Sequence, residues 1–177
     1  MGLGDVYKRQ LYTHGYTKFM SRVKKAGIDG LILPDMSIEE SKYYLKSAKK
    51  NRLDTIFLVS PNTNNARLRK IAKASTGFLY MVAVFGTTGV QTKIHKYTID
   101  SIKNAKKIVG GKLPIGIGFG VSTPNDVKKY VSVGVDAVIV GSANLKIIET
   151  TPSSKLQKRI TEYTKKLKKS TRIGKAT

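Results

Sequence analysis

Residues 114–149, PIGIGFGVSTPNDVKKYVSVGVDAVIVGSANLKIIE, decide the fold of this chain. Two short apolar runs, Ile115–Gly118 and Ala137–Val140, each end in a turn that contains glycine. The segment between them has a helix start, with Thr123 as N-cap and Pro124 at the first helical position. The order of strand, glycine turn, helix, strand, Gly-Ser and helix predicts a phosphate site that is built from backbone N–H groups.

The same alternation of helix and strand extends through the rest of the chain. Five strands are predicted in all, and the three that precede the opening stretch lie at Leu31–Pro34, Thr55–Val59 and Phe78–Val84. Strict alternation indicates parallel strands joined by crossover helices, which is an α/β architecture. A doubly wound sheet and a (β/α)8 TIM barrel both fit this pattern, and a barrel needs eight strands and typically about 250 residues.

Composition narrows the class of protein. The chain has 177 residues and no cysteine, which suits one domain in a reducing compartment, and we expect a cytoplasmic location. No apolar run approaches the ~20 residues of a membrane helix. Met1–Gln10 shows no periodicity, so we treat it as an unmatched leader, either a poorly ordered terminus or an artefact of sequence assembly. The fold is then expected to occupy residues 11–177.

The net charge of +22 arises from 33 Lys and Arg residues against 11 Asp and Glu residues. Such an excess can indicate nucleic acid, an anionic surface or an anionic substrate. The lysines recur on nearly every predicted helix and are not interleaved with aromatic residues, which indicates solvated helix faces. We therefore expect no nucleic-acid partner, and a general attraction of anions as a by-product.

Glycines at the ends of the last two strands form the predicted phosphate site. Gly118 and Gly120 lack a β-carbon, so backbone N–H groups there can approach a ligand closely. Gly141 precedes Ser142, which is predicted to cap a short helix whose N-terminus favours an anion. The alternative is that these glycines serve only tight turns. The loop 86–89 either adds a third set of N–H groups or is simply a flexible connection.

Acid–base chemistry has little support in this sequence. Asp35 is the only carboxylate at a predicted strand exit, and it either takes part in catalysis or orders its loop beside Pro34. His14 and His95 lie in predicted loops without an evident carboxylate partner. No cluster of metal ligands is present. The sequence thus predicts an anion site without the pair of titratable groups that acid–base catalysis requires.

Five segments in the right order resemble the tryptophan synthase α subunit, particularly its archaeal versions. They are AGIDGLILPD, PNTNNARLRKIA, FLYMVAVFGTTGVQT, IGIGFGVSTPNDV and VIVGSANLKIIE, within a match that runs from about Leu11 to the terminal helix. The resemblance implies a TIM barrel that cleaves indole-3-glycerol phosphate to indole and glyceraldehyde 3-phosphate. It also implies a β-subunit partner, which carries the pyridoxal phosphate, while this chain needs no cofactor.

The resemblance further implies which residues hold the substrate. The phosphate is expected around Gly89, Gly120, Gly141 and Ser142, and Tyr80 is expected beside the reacting centre. The strand pattern alone would equally make Tyr80 part of the barrel core.

This sequence departs from the family pattern in its N-terminal part. The family's two catalytic carboxylates, a Glu and an Asp, come from segments that precede anything matched here. We therefore expect a C-terminal fragment of about five βα units plus a terminal helix, inactive alone. Two alternatives stay open: another phosphate-binding TIM barrel, such as an isomerase or epimerase of sugar phosphates, and a non-catalytic basic binding module.

Overall fold

Short strands and helices alternate through residues 3–5, 8–82 and 96–172, the part of the chain that this computed structural model describes. The strands are β1 (Leu3–Asp5), β2 (Gly30–Ile32), β3 (Asp54–Ile56), β4 (Leu58–Val59), β5 (Leu79–Val82), β6 (Ile115–Gly118) and β7 (Ala137–Val138). The helices are α1 (Lys8–His14), α2 (Tyr16–Lys25), α3 (Lys42–Lys50), α4 (Asn65–Ala74), α5 (Lys96–Val109), α6 (Pro124–Val133), α7 (Ser142–Thr150) and α8 (Ser153–Lys169).

All strand pairs in the described residues are parallel and follow the order of the sequence. One sheet contains β1, β2 and β3, and the other contains β4, β5, β6 and β7. Only Phe57 separates β3 from β4, and its carbonyl accepts a 3.0 Å hydrogen bond from the Tyr80 N–H. A doubly wound sheet reverses its strand order, whereas a barrel does not. The prediction of a partial (β/α)8 barrel is therefore confirmed.

The core lies between the strands and the inner faces of the helices. In β5 and β6 the side chains of Leu79, Met81, Ile115 and Ile117 are all buried, as expected for parallel strands that are covered on both faces. β7 differs, because Ala137 is exposed. Within the described residues β7 pairs only with β6, so it forms an edge of the sheet. It is also shorter than the predicted strand.

The first residues of the chain correct the expectation that Met1–Gln10 lies outside the fold. Leu3–Asp5 pairs in parallel with β2, and α1 begins at Lys8. Backbone pairing over three residues requires no side-chain periodicity, which is why no pattern was visible in the sequence. The Asp35 carboxylate accepts the Lys8 N–H at 2.8 Å and 3.0 Å, and the Leu11 side chain is fully buried.

Charged contacts add to this attachment. The Lys8 ammonium lies 2.7 Å from a carboxylate oxygen of Glu40. The hydrogen bond from Lys8 lowers the pKa of Glu40, and the same bond raises the pKa of Lys8. Since Glu40 is exposed and Lys8 is only partly buried, solvent screens the pair, and it orients α1 more than it stabilises the fold.

Two helix starts that the sequence predicts had opposite outcomes. Ser37-Ile38-Glu39-Glu40 has the sequence of a capping box, which predicts a helix with Ser37 as its N-cap. That prediction is wrong, because the Ser37 and Glu40 side chains bond to each other at 2.7 Å and the helix begins only at Lys42. The start of α6 is confirmed as predicted. The Thr123 hydroxyl accepts from the Asp126 N–H at 3.1 Å, and the Asp126 carboxylate accepts from the Thr123 N–H at 2.9 Å.

The predicted terminal helix is also confirmed, and it is amphipathic. The stripe of apolar residues on α8 is half-buried, and the hydroxyl of Tyr163 donates to the Ser122 carbonyl at 2.7 Å. This bond ties α8 to the loop that follows β6. Among the described helices, none is both long enough and apolar enough to cross a membrane.

Candidate functional site

A cleft of about 340 Å³ lies where the chain leaves its strands. Parallel strands direct their carboxyl ends to one side of a sheet, and the loops that follow them build the ligand sites of barrels. The cleft is lined mainly by apolar side chains and by the loops after β6 and β7. Its lining residues are Ile32, Pro34, Leu58, Tyr80, Phe119, Gly120, Val121, Ile139, Gly141 and Ser142.

The cleft brings together four of the five residues that the sequence pointed to. Tyr80, Gly120, Gly141 and Ser142 all line it. They come from β5, from the loop after β6 and from the start of α7, which are far apart in the sequence. The fifth residue, Gly89, lies outside the described residues, as does the loop 86–89 to which it belongs.

Gly118 has a different structural role from the predicted one. A β-carbon at Gly118 would collide with the hydroxyl of Tyr80, which lies across this position. The glycine therefore makes room for the tyrosine ring rather than for a ligand. Tyr80 itself is 9% exposed, so it belongs both to the core and to the wall of the cleft.

Phe119 is a lining residue that the sequence reasoning did not select. Its φ of 73° is in the left-handed region, where a residue with a side chain is uncommon. Its ring is 56% exposed and meets the Tyr80 ring edge to face, with 6.0 Å between centroids. An aromatic residue between two glycines directly after a strand was the available signal. The pair forms the aromatic wall of the cleft.

The start of α7 forms the polar end of the cleft. Gly141 is the N-cap of this helix and Ser142 is its first residue, so the predicted capping by the Ser142 hydroxyl is wrong. A side chain that is already within the first turn cannot reach the N–H groups that an N-cap binds. The first N–H groups of a helix have no intrahelical partners and carry partial positive charge. No acidic residue lies in the first turn of α7 to oppose an anion.

The described residues supply no acid–base pair at this cleft. Among the described residues, no Asp, Glu or His side chain lines it. Asp35 follows Pro34, but its carboxylate binds the Lys8 N–H, which favours the loop-ordering interpretation over the catalytic one. His14 contacts the Gln10 carbonyl at 3.0 Å, and His95 lies outside the described residues.

Metal ligation has no support in the described part of the chain either, where no group of three or more His, Cys, Asp or Glu residues gathers. With its aromatic wall and the start of α7 at its polar end, the cleft can bind a ligand that carries an anionic group and an apolar ring. The described residues do not by themselves offer a means to move its protons.

Comparison with known proteins gives the same family throughout. The family model of the tryptophan synthase alpha chain matches residues 6–172. The alpha chain of Thermococcus kodakarensis is 35% identical over 158 residues, which are 88% of this chain and 62% of that protein. The alpha chain of Methanococcus vannielii is 40% identical over 144 residues, which are 81% of this chain and 55% of that protein.

Solved structures agree with the sequence relatives. A tryptophan synthase α2β2 complex from Pyrococcus furiosus contains a chain that superposes with a TM-score of 0.85 at 30% identity. The superposition covers 94% of this chain and 66% of that one. This chain thus spans less than two thirds of the length of these relatives. The match of the family model over nearly all of its residues shows that the chain belongs to the tryptophan synthase alpha chain family.

Proposed function

We propose that this chain holds the substrate of an indole-3-glycerol-phosphate lyase, the α-type activity of tryptophan synthase. The proposed reaction is a retro-aldol cleavage to indole and glyceraldehyde 3-phosphate. One observation carries the proposal: a single cleft joins an aromatic pair, Tyr80 and Phe119, to the N-terminus of α7. A ligand with an aromatic ring at one end and a phosphate at the other matches both ends.

The phosphate is proposed to lie at the start of α7. Gly120, Gly141 and Ser142 line this end of the cleft, and a β-carbon at Gly141 would have no neighbour within 4 Å, so there is open space beside the backbone. Backbone N–H groups and the positive end of the helix favour a phosphate there. Gly89 is proposed to approach the same phosphate.

The indole ring is proposed to lie against Tyr80 and Phe119. Aromatic rings prefer edge-to-face or offset contacts, and the exposed Phe119 ring offers a free surface for one. The surrounding side chains of Ile32, Leu58 and Ile139 exclude water from the same region. An apolar wall with a polar end is the usual composition of a small-molecule site.

Bond cleavage requires groups that the described residues of this cleft do not provide. The reaction needs a proton delivered to the indole carbon and a proton removed from the glycerol hydroxyl, so it needs a pair of titratable groups. No carboxylate of the described residues lines the cleft. We therefore propose that residues 11–177, together with β1 and the start of α1, form the C-terminal part of one TIM-barrel domain, and that the chain alone is inactive.

The proposed partner is a tryptophan synthase β subunit in an assembly of the α2β2 type, which would contribute the pyridoxal phosphate. Support comes from the family membership and from the Pyrococcus furiosus complex. A cytoplasmic location is part of the proposal, since a chain without cysteine suits a reducing compartment.

A binding experiment separates the two ends of the cleft. Isothermal titration of the chain with glycerol 3-phosphate and, separately, with indole should give one site for each. Ser142→Asp adds a negative charge beside the phosphate and should weaken glycerol 3-phosphate by about tenfold or more. Phe119→Ala should instead weaken indole by about threefold to tenfold. Ser132→Asp, an exposed position outside the cleft, is the matched control and should change neither affinity.

An activity experiment tests the chemistry. Indole release from indole-3-glycerol phosphate is measured for the chain alone and after addition of the N-terminal third of the Thermococcus kodakarensis relative. The expected result is no turnover alone and detectable turnover after complementation. Turnover by the chain alone would contradict the proposed inactivity. Absence of both ligand affinities would overturn the assignment of the cleft.

A further inference from the structure

A second concave region lies between α7 and α8, apart from the cleft described above. One part of it has a volume of about 420 Å³ and an adjoining part has about 600 Å³. Thr150, Arg159 and Glu162 line both parts, so the two form one continuous groove. We call this region the α7–α8 groove.

The groove concentrates positive charge. Five cationic side chains and one carboxylate, Glu162, line it; the cations are Lys146, Lys155, Lys158, Arg159 and Lys166. All five cations are exposed. The ion pairs found among the described residues involve Lys8, Arg67 and Lys106, and none involves a groove cation. Several like charges that converge on a concave surface create a potential that recruits anions.

Two hydrogen bonds at the groove do not involve its cationic groups, and the first of them fixes α8 in place. The Tyr163 hydroxyl donates to the Ser122 carbonyl at 2.7 Å and joins α8 to the loop after β6. The Thr150 hydroxyl donates to the Lys146 carbonyl at 2.7 Å. The ammonium and guanidinium groups therefore remain available to a ligand, on walls that are already in place.

The chemistry of the groove favours a chain of phosphate groups. Arginine binds phosphate through two parallel hydrogen bonds, and lysine binds it as a point charge. Nucleic-acid channels combine such charges with several aromatic stacking surfaces. Tyr163 is the one aromatic residue among the described lining residues, and its hydroxyl is committed to Ser122. We propose that the α7–α8 groove binds an oligophosphate chain, either free or attached to a nucleoside.

The first test locates the ligand on the unmodified 177-residue chain. Tripolyphosphate is titrated at constant ionic strength while backbone amide signals are followed by two-dimensional NMR. We expect the signals of Lys146, Arg159 and Tyr163 to shift together and to saturate. The same shifts should appear in the Ser142→Asp chain, since the groove is separate from the first cleft. Shifts confined to the start of α7 would overturn the proposal.

The second test separates the groove from general charge. The triple variant Lys146→Gln, Arg159→Gln, Lys166→Gln should weaken tripolyphosphate by about tenfold or more. The matched control is Lys46→Gln, Lys49→Gln, Lys50→Gln on α3, which removes the same charge at exposed positions outside the groove and should change the affinity less than about twofold. Equal losses in the two variants would overturn the proposal. Thermal unfolding of each variant checks that both remain folded.

Two further ligands, ATP and a single-stranded RNA, show whether the bound phosphate chain is free, attached to a nucleoside or part of a nucleic acid. Similar affinity for ATP and tripolyphosphate would indicate a free phosphate chain, whereas clearly tighter ATP would indicate a nucleoside attached to it; both support the groove. A single-stranded RNA that binds more tightly than either, and that loses affinity equally in the two triple variants, would contradict it. These outcomes are independent of the lyase proposal, which concerns glycerol 3-phosphate and indole in the other cleft.

Discussion

The hydroxyl of Tyr80 occupies the space that a β-carbon on Gly118 would need. The two residues lie on neighbouring strands, where Tyr80 pairs with Gly116 and Gly118 pairs with Val82. The tyrosine ring can therefore lie across the end of β6 only because that strand ends in glycine. This relationship places the Tyr80 ring in edge-to-face contact with the Phe119 ring and so shapes the aromatic wall of the cleft.

Gly118→Ala should therefore destabilise the chain. The added methyl group meets a ring that is packed in the core, and overpacking of this kind costs about 1–3 kcal/mol in the free energy of unfolding. Urea denaturation measures the change. Gly141→Ala is the control, because a β-carbon there has no neighbour within 4 Å. If the two variants unfold at the same urea concentration, the Tyr80 contact does not constrain Gly118.

Phe119 should show the energetic signature of its left-handed backbone. Phe119→Ala and Phe119→Gly both remove the ring, but only glycine adopts a φ of 73° without steric cost. The glycine variant is expected to be more stable than the alanine variant by about 1 kcal/mol, as judged from urea denaturation. Alanine is the more stable of the two at ordinary backbone positions. If the alanine variant is also the more stable of the two at residue 119, the left-handed backbone of Phe119 is contradicted.

The two predicted helix caps should respond differently to truncation. Thr123→Ala removes a hydroxyl that accepts the Asp126 N–H, so it should cost about 1 kcal/mol in the free energy of unfolding. Ser142→Ala removes a hydroxyl that caps nothing in α7, and it should change stability by less than about 0.5 kcal/mol. A larger loss for Ser142→Ala than for Thr123→Ala would reverse this assignment.

Stability at alkaline pH should depend on Tyr44. Its hydroxyl donates to the Leu31 carbonyl at 3.1 Å, and burial raises its pKa well above the ordinary value of 10.0. The folded state thus retains the proton when the unfolded state has lost it. The contribution of Tyr44 to the free energy of unfolding is fully present below about pH 10. Above that pH it decreases, by at most about 1.4 kcal/mol per pH unit.

Tyr44→Phe tests this dependence. The variant should lose about 1 kcal/mol at neutral pH, because the Leu31 carbonyl loses a buried donor. Its stability should then fall less steeply than that of the parent chain above pH 10, as followed by chemical denaturation at a series of pH values. Parallel pH profiles for the two chains would show that Tyr44 titrates alike in the folded and unfolded states.

Patterns that are local in the sequence predicted the local structure well. The apolar run at Ile115–Gly118 became a buried parallel strand, whereas the run at Ala137–Val140 became a short edge strand that is only partly buried. The Thr-Pro-Asn-Asp segment became a complete capping box at the start of α6. Such features depend on residues only a few positions apart. Ser37 shows the limit of this reasoning. Its sequence fits a capping box, but the Glu40 side chain bonds to the Ser37 hydroxyl and to Lys8, and the helix begins later.

The residues of the cleft were predictable to a smaller extent. Family motifs pointed to Tyr80, Gly120, Gly141 and Ser142, and these four do line one cleft. Phe119 was not selected, because its importance depends on a backbone angle that no residue pattern reveals. The strand at Leu3–Asp5 was missed for a similar reason: it is defined by hydrogen bonds to β2, and three residues are too few to show a period.

The sequence by itself determined the alternation of strands and helices, the parallel arrangement that follows from it, and the position of the glycine turns. These depend on periodicity and on turn chemistry, both of which are short-range. Only the tertiary structure decided that Gly118 serves Tyr80, that Asp35 binds the Lys8 N–H, and that the groove cations converge between α7 and α8. The first two are contacts between segments that are distant in the chain. The third depends on the angle at which two consecutive helices pack, and no residue pattern fixes that angle.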